Sequence, residues 1–243
     1  MKILVLTVAG TSSRFGESLG KPCLKCIYHR GDFEQTLLSR MLRRNVSFDR
    51  YIIVGGYRFD ELQAALREHF SDWKDRISLI YNPEYSRFGT GYSLYLGLQE
   101  ALKYPFDELI FAEGDLFVDD ETFRTLYDLP RSAVTFTREE ITAKKSVVFY
   151  YDQMAHVHYL YDTSHGSLEI KEPFTAIYNS GQIWKFADRA HVKRAFDELN
   201  NWEGTNLAFI QKYFGGLEQG EYERIGFRVW INCNTVEDFN KSL

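Results

Sequence analysis

Two acidic side chains, Glu113 and Asp115, close the apolar run Ile110-Phe111-Ala112-Glu113-Gly114-Asp115. In an extended strand residues i and i+2 point to the same side, so these carboxylates can converge. Mg²⁺ suits such an end, because it takes one or two carboxylates and completes its shell with water and phosphate oxygens. For Glu113 alone, a polar strand end entering a solvated turn at Gly114 is the simpler reading. Near the C-terminus, Asn232 and Asn234 lie in Trp230-Ile231-Asn232-Cys233-Asn234-Thr235. Read from the residues alone, Asn234 or Thr235 caps a terminal helix that has Glu237 in its first turn.

A second constellation follows the first apolar run, in Leu6-Thr7-Val8-Ala9-Gly10-Thr11-Ser12-Ser13-Arg14-Phe15-Gly16, with Lys21-Pro22 beyond it. Small residues let backbone N–H groups approach phosphate oxygens. Arg14 can fork two donors onto a phosphate, and Lys21 supplies a compact charge. The pattern is neither GxGxxG nor GxxxxGK[ST], so the dinucleotide-binding and P-loop readings lack their defining residues. A surface loop with incidental cations remains the alternative. Cys23-Leu24-Lys25-Cys26 has CxxC spacing, but the chain has only one further cysteine, Cys233, and no second CxxC. His156 and His158, the only close histidine pair, fall in a strand-like run. Cys23 and Cys26 read as small residues beside a strand start, and no structural zinc is expected.

The elements that must position these groups alternate through the first half. Ile3–Val8, Tyr51–Val54, Ile77–Tyr81 and Leu109–Ala112 are β-rich runs. Between them, Gln35–Asn45, Phe59–Phe70 and Tyr92–Leu102 carry apolar residues at helical spacing. This order predicts a largely parallel sheet with helices on both faces. Ligands of open α/β sheets bind at the carboxyl ends of strands, where Glu113 and Asp115 stand. In the second half, Ala133–Thr137, Ser146–Tyr151, His156–Leu160 and Phe174–Tyr178 are short β-rich runs that suggest added antiparallel strands. Helices are expected around Trp184, Val192–Leu199 and Leu207–Tyr213. A final strand over Phe227–Ile231 and a helix from Val236 complete the chain. The fold class is therefore α/β, with a mixed sheet flanked by helices. One domain over 1–243 is expected, with two functional halves, 1–130 and 131–243.

Composition bounds the partners. The chain has 243 residues, 44% hydrophobic and 26% charged, enough to bury a full core. Its net charge is −5 and its Lys and Arg residues are scattered. Nucleic-acid binders usually present a basic face, so no nucleic-acid partner is expected. The apolar run at Ile3–Val8 is too short for a signal peptide or a membrane span. No membrane partner and a cytoplasmic location are expected.

The segment from Ala9 to Pro22 resembles the signature of nucleotidyltransferases with a GT-A-type, Rossmann-like fold (the MobA-like superfamily), written roughly AGxxSRxG…KP. It matches at Ala9, Gly10, Ser13, Arg14, Gly16, Lys21 and Pro22. The resemblance implies a nucleotide site formed by Val8, Ala9, Gly10, Thr11, Ser12, Ser13, Arg14 and Lys21, with Arg14 and Lys21 catalytic. It also implies that Asp115 is the catalytic metal ligand, with Glu113 in place of a first aspartate. Trp230–Thr235 is similar to the family's closing segment, whose second metal ligand falls at Asn232 or Asn234. Asn82, Gly89 and Thr90 resemble its base-contacting residues, and Gly89-Thr90 is similar to its GT pair. The pattern N-x-x-Y…YSLYL, which includes Tyr92, is similar to choline-phosphate cytidylyltransferases, although those carry asparagines in place of Gly89 and Thr90. Asn179-Ser180-Gly181, before a helix holding Trp184, is similar to the family's substrate strand. Lys171-Glu172-Pro173 is similar to its EKP motif, with the first two residues exchanged. The resemblance implies that the half over 1–130 serves nucleotide and metal and the half over 131–243 the substrate.

The implied reaction is Mg²⁺-dependent transfer of a nucleoside monophosphate, CMP from CTP, to a small phosphorylated acceptor such as phosphocholine. Pyrophosphate would leave, and the product would feed cell-surface polysaccharide synthesis. A cage drawn from Tyr150, Tyr151, Tyr159, Tyr161, Trp184 and Trp202 could hold a cationic head group, although strand aromatics usually pack a sheet face. A sugar-1-phosphate nucleotidyltransferase, a glycosyltransferase of similar fold and an inactive nucleotide-binding regulator are the alternatives.

Overall fold

The computed structural model describes residues 1–161, 166–218 and 220–243. Strand β1 (Lys2–Val8) is buried on both sides, and its side chains alternate between two cores. Ile3 and Val5 join one, while Leu4, Leu6 and Val8 join the other. The continuous apolar run Ile3–Leu6 is what a central parallel strand requires when helices cover both faces. After β1 come α1 (Ser13–Leu19), α2 (Leu37–Leu42), β2 (Arg50–Gly55), α3 (Phe59–His69), β3 (Ile77–Tyr81), α4 (Thr90–Ala101) and β4 (Glu108–Glu113). Strands β3, β2, β1 and β4 are neighbours in that order, and all three pairings are parallel.

The second half adds β5 (Leu116–Val118), α5 (Asp120–Asp128), β6 (Ser132–Thr137), β7 (Val148–Asp152), β8 (Val157–Tyr159) and β9 (Phe174–Phe186). Then follow α6 (Arg189–Glu198), α7 (Leu207–Phe214), β10 (Tyr222–Gly226), β11 (Trp230–Asn232) and α8 (Val236–Lys241). Strand β9 runs antiparallel to β4, β6 and β7, which gives the expected mixed sheet. Helices α4, α6 and α7 pack on one face, and α2, α3 and α5 on the other. A smaller cluster of Phe15, Leu37, Cys233 and Phe239 ties α1 to α8 below the loop after β1.

Several elements differ from the sequence expectation. Trp184 is not in a helix. Strand β9 continues through Asn179-Ser180-Gly181 to Phe186, because the register with β6 shifts between Val134 and Phe136. Gln182 takes the left-handed conformation there, at φ 55°. Gly181 suits the bulge, since a Cβ would fall 2.6 Å from Thr135 Oγ1. The loop expected over residues 13–19 is α1. Helix α5 was unforeseen; the Asp119 side chain caps it at Thr122 N, and Phe123 and Leu126 bury its inner face. Of the strand expected over Phe227–Ile231, only Trp230 and Ile231 are extended, in β11; β10 ends earlier, at Gly226, and 227–229 form a turn. Asp119 holds the intervening turn by accepting from Arg228 N and Val229 N.

Candidate active site

The loop after β1 lines a cleft at the carboxyl ends of β1 and β4, where Thr7 stands opposite Glu113. Ala9 O accepts from Tyr57 N, fixing the start of the loop against the end of β2. Ser12 adopts φ 55° and its carbonyl accepts from Gly16 N, turning the chain into α1. Phe15 is buried beneath that turn, so the polar residues on either side of it stay at the surface. A Cβ on Gly10 would meet nothing within 4 Å, which leaves its backbone open to the cleft.

Beyond β4 the chain turns at Gly114, whose N–H donates to Thr7 O. A Cβ there would lie 2.2 Å from Val8 Cγ1, so the turn can pass this close to β1 only as glycine. The turn delivers Asp115. Its carbonyl accepts from Cys233 N at 2.8 Å, and β11 pairs antiparallel with β5 through Asn232 and Leu116. The C-terminal segment is thereby laid beside the carboxylate.

At the centre, Lys25 Nζ lies 2.7 Å from Asp115 Oδ2 and 3.3 Å from Asn234 Oδ1. Arg14 donates to the same Asn234 oxygen at 2.9 Å, and Asn234 Nδ2 donates to Asn232 Oδ1 at 2.7 Å. Asp115 Oδ1 is buried without a hydrogen-bond partner. Glu113 Oε1 accepts from Asn206 Nδ2 at 2.7 Å. Burial, followed by the nearby Asp115 charge, holds the Glu113 carboxyl above the usual carboxylate range.

A loop over residues 201–206 closes the far side. Gly89 N donates to Glu203 O at 2.7 Å, Gly91 N donates to Gly204 O at 2.9 Å, and Asn206 N donates to Thr90 Oγ1 at 3.1 Å. The buried Asn206 therefore bridges the start of α4, the end of β4 and the start of α7.

Residues 21–243 match the family described as Domain of unknown function (DUF6564). The chain belongs to that family. No curated protein matches it in sequence. Among solved structures it is similar to the CTP:phosphocholine cytidylyltransferase LicC of Streptococcus pneumoniae. That match has 16% identity and a TM-score of 0.67, covering 99% of this chain and 96% of the other. It is also similar to the inositol-1-phosphate CTP transferase of T. maritima, at 13% identity and TM-score 0.66, over 98% and 91% of the two chains. HddC of Yersinia pseudotuberculosis matches at 18% identity and TM-score 0.62, over 100% and 98%. At such identities the likeness is one of fold, and it is the GT-A-like nucleotidyltransferase fold expected from the signature.

In this DUF6564 chain the expected residues separate into those at the cleft and those away from it. Val8, Ala9, Gly10, Ser12, Thr90, Glu113 and Asp115 line it, and Arg14, Asn232 and Asn234 join it through the hydrogen bonds above. Thr11 on the same loop and Ser13 at the start of α1 are exposed. Lys21 is exposed, with no side-chain partner among the described residues; the ammonium at the carboxylate belongs to Lys25. Asn82 is buried, donating to Ser93 Oγ and accepting from Glu84 N, so it shapes the approach to α4 while Ser93 faces the cleft. The Gly89 N–H is taken by the 201–206 loop. Tyr92 packs with Phe88 and Tyr95, and Gly181 offers its carbonyl to Trp230 Nε1. Trp184 is fully buried, stacked on Phe111 and bonded to Tyr159 Oη, which makes it a core residue.

Lys25, Ser93 and Asn206 were not anticipated. For Lys25 a signal existed: a lone charge between Leu24 and Cys26, both buried, must reach out along an otherwise apolar turn. Cys23 and Cys26 are both free; burial pushes the Cys26 thiol up to about 12.

Proposed function

We propose that this chain is a Mg²⁺-dependent nucleotidyltransferase that moves CMP from CTP to a small phosphorylated acceptor and releases pyrophosphate. The observation that carries the reading is the convergence on one cleft of an open glycine loop, two cations (Arg14 and Lys25) and Asp115. The likeness in fold to two enzymes named for their use of CTP supports it.

The residues at the cleft fit Mg²⁺. Asp115 Oδ1 is buried and unpartnered, and the neighbouring donors are carboxylate and amide oxygens, which a hard cation prefers. Among the described residues no group of three His, Cys, Asp or Glu could hold a metal, and Mg²⁺ bound together with phosphates needs no such cage. Asp115 would hold it, with Asn232 or Asn234 as the second protein ligand. Bound there, it would supply charge neutralisation at the α-phosphate and acceptor phosphate.

In the proposed step an acceptor phosphate oxygen attacks the α-phosphorus in line. The new P–O bond forms as the bond from the α-phosphorus to the bridging oxygen of the leaving pyrophosphate breaks. A phosphate monoester is largely ionised at neutral pH, so its oxygen needs no general base. The chain's work is positioning and charge. The loop over residues 8–13 holds the nucleotide, while Arg14, Lys25 and Lys21 neutralise the triphosphate and the leaving group.

Phosphocholine and sugar 1-phosphates are the candidate acceptors. Tyr151, Tyr159 and Trp184, which could have caged a quaternary ammonium, are closed into the core, so a choline head group would have to be held by other side chains. Either product would serve cell-surface polysaccharide synthesis. Among the described residues no helix is long and apolar enough to cross a membrane, and a cytoplasmic site of action is part of this proposal.

The test is pyrophosphate release with CTP, UTP, GTP and ATP, each with Mg²⁺ and either phosphocholine or a sugar 1-phosphate. Release that requires both CTP and one acceptor is expected. Release of orthophosphate from the nucleotide alone would contradict the reading.

A further inference from the structure

Lys25 occupies the seat that the proposed reaction assigns to a divalent cation. Its ammonium bridges Asp115 Oδ2, at 2.7 Å, and Asn234 Oδ1, at 3.3 Å, which are two of the oxygens expected to ligate the metal. The pair is well shielded, with the Lys25 and Asp115 side chains 17% and 20% exposed. Yet it is incomplete, because Asp115 Oδ1 is buried and meets no donor. A carboxylate retained only for structure would be expected to have both oxygens satisfied, since a buried unmet acceptor is costly. One oxygen on a lysine and one left bare suit a site whose full complement arrives later.

We propose that Lys25 is a placeholder: in the substrate-free chain its ammonium neutralises Asp115 and keeps free divalent cations out. When a nucleoside triphosphate arrives with Mg²⁺, Lys25 releases Asp115 and turns to a phosphate oxygen. A lysine suits this exchange because it carries a compact charge on a flexible four-carbon stem, whereas an arginine's planar fork would hold the carboxylate in two places. Arg14, already on Asn234, remains as the fixed cation of the cleft. The consequence is an order of binding, with the metal entering together with the nucleotide and not before it. This inference rests on the nucleotidyltransferase reading of the cleft.

The test uses Mn²⁺ as the probe, followed by electron paramagnetic resonance, on the full chain without nucleotide and again with a non-hydrolysable CTP analogue. Wild type is compared with Lys25→Met and Lys25→Gln, each checked for cooperative thermal unfolding. Without nucleotide, both variants are expected to bind Mn²⁺ about tenfold or more tightly than wild type, as removing an adjacent competing cation should allow. Adding Asp115→Asn to Lys25→Met should abolish that gain. Equal affinity of wild type and both variants, or no binding by any of them, overturns the proposal. Failure of the enzymatic reading looks different: wild type would take up no Mn²⁺ with the nucleotide analogue, while the Lys25 variants still bound the ion more tightly alone.

Discussion

At Asp115 one oxygen is held by Lys25 and the other has no partner, and the cleft's chemistry follows from that imbalance. Lys25→Ala is expected to lower kcat/KM by about 10²–10³-fold, the usual loss when a preorganised charge is removed from a transition state. Lys21→Ala should cost less than about tenfold, because an exposed cation is screened by solvent. Steady-state kinetics on the two variants check the order, and a larger loss at Lys21 would return the role to the lysine of the signature. The placing of Asp115 beside the cleft was legible because an apolar run ends there, at the carboxyl edge of the sheet; the i, i+2 geometry does not hold, since β4 stops at Glu113 and the chain turns at Gly114. Lys25 was not, since its partner lies 90 positions away and only the folded turn brings them together. The second carboxylate is less open than its spacing suggested, for Glu113 already accepts from Asn206.

Among the elements, the 201–206 loop and α4 are packed without slack. A Cβ on Gly89 would lie 2.3 Å from Gly204 O, a backbone atom that cannot rotate aside. Gly89→Ala is therefore expected to destabilise the fold by about 1–3 kcal/mol, measured by denaturant unfolding; an unchanged midpoint would show that the loop is not seated there. The β7–β8 hairpin offers a pH test. Partial burial alone would raise the Asp152 pKa, but hydrogen bonds from His158, the His156 and Met154 N–H groups and the His156 ring hold it at about 2, below its ordinary 3.8. A depressed carboxylate contributes stability above its unfolded pKa and loses it as pH falls through the folded one. The stability gap between wild type and Asp152→Ala should accordingly shrink as pH falls from about 4 to about 2. A gap independent of pH would contradict it. Strands β1 to β4 were readable because both their faces are apolar and their helices are periodic. The bulge in β9 was not, because Asn179-Ser180-Gly181 reads locally as a turn and only pairing with β4 and β6 extends it.

Over the whole molecule, the four parallel strands β3, β2, β1 and β4 carry the glycine loop and Glu113 at one side of the cleft, and the antiparallel β9 joins them to the rest of that sheet. The small β5–β11 pair then returns the C-terminus to Asp115. The mixed α/β architecture followed from the order of apolar runs, but the return of Asn232 and Asn234 to the cleft did not. Composition and periodicity carry no record of which distant segments pair; for this segment, only the resemblance in Trp230–Thr235 pointed to the site. Phosphorus NMR of the chain with CTP, Mg²⁺ and each phosphorylated acceptor tests the central claim most directly. The account predicts one pyrophosphate for each CTP consumed, with a new diphosphate linkage joining CMP to the acceptor and neither signal in Asp115→Asn. Orthophosphate in place of pyrophosphate, or an undiminished reaction in Asp115→Asn, would contradict it.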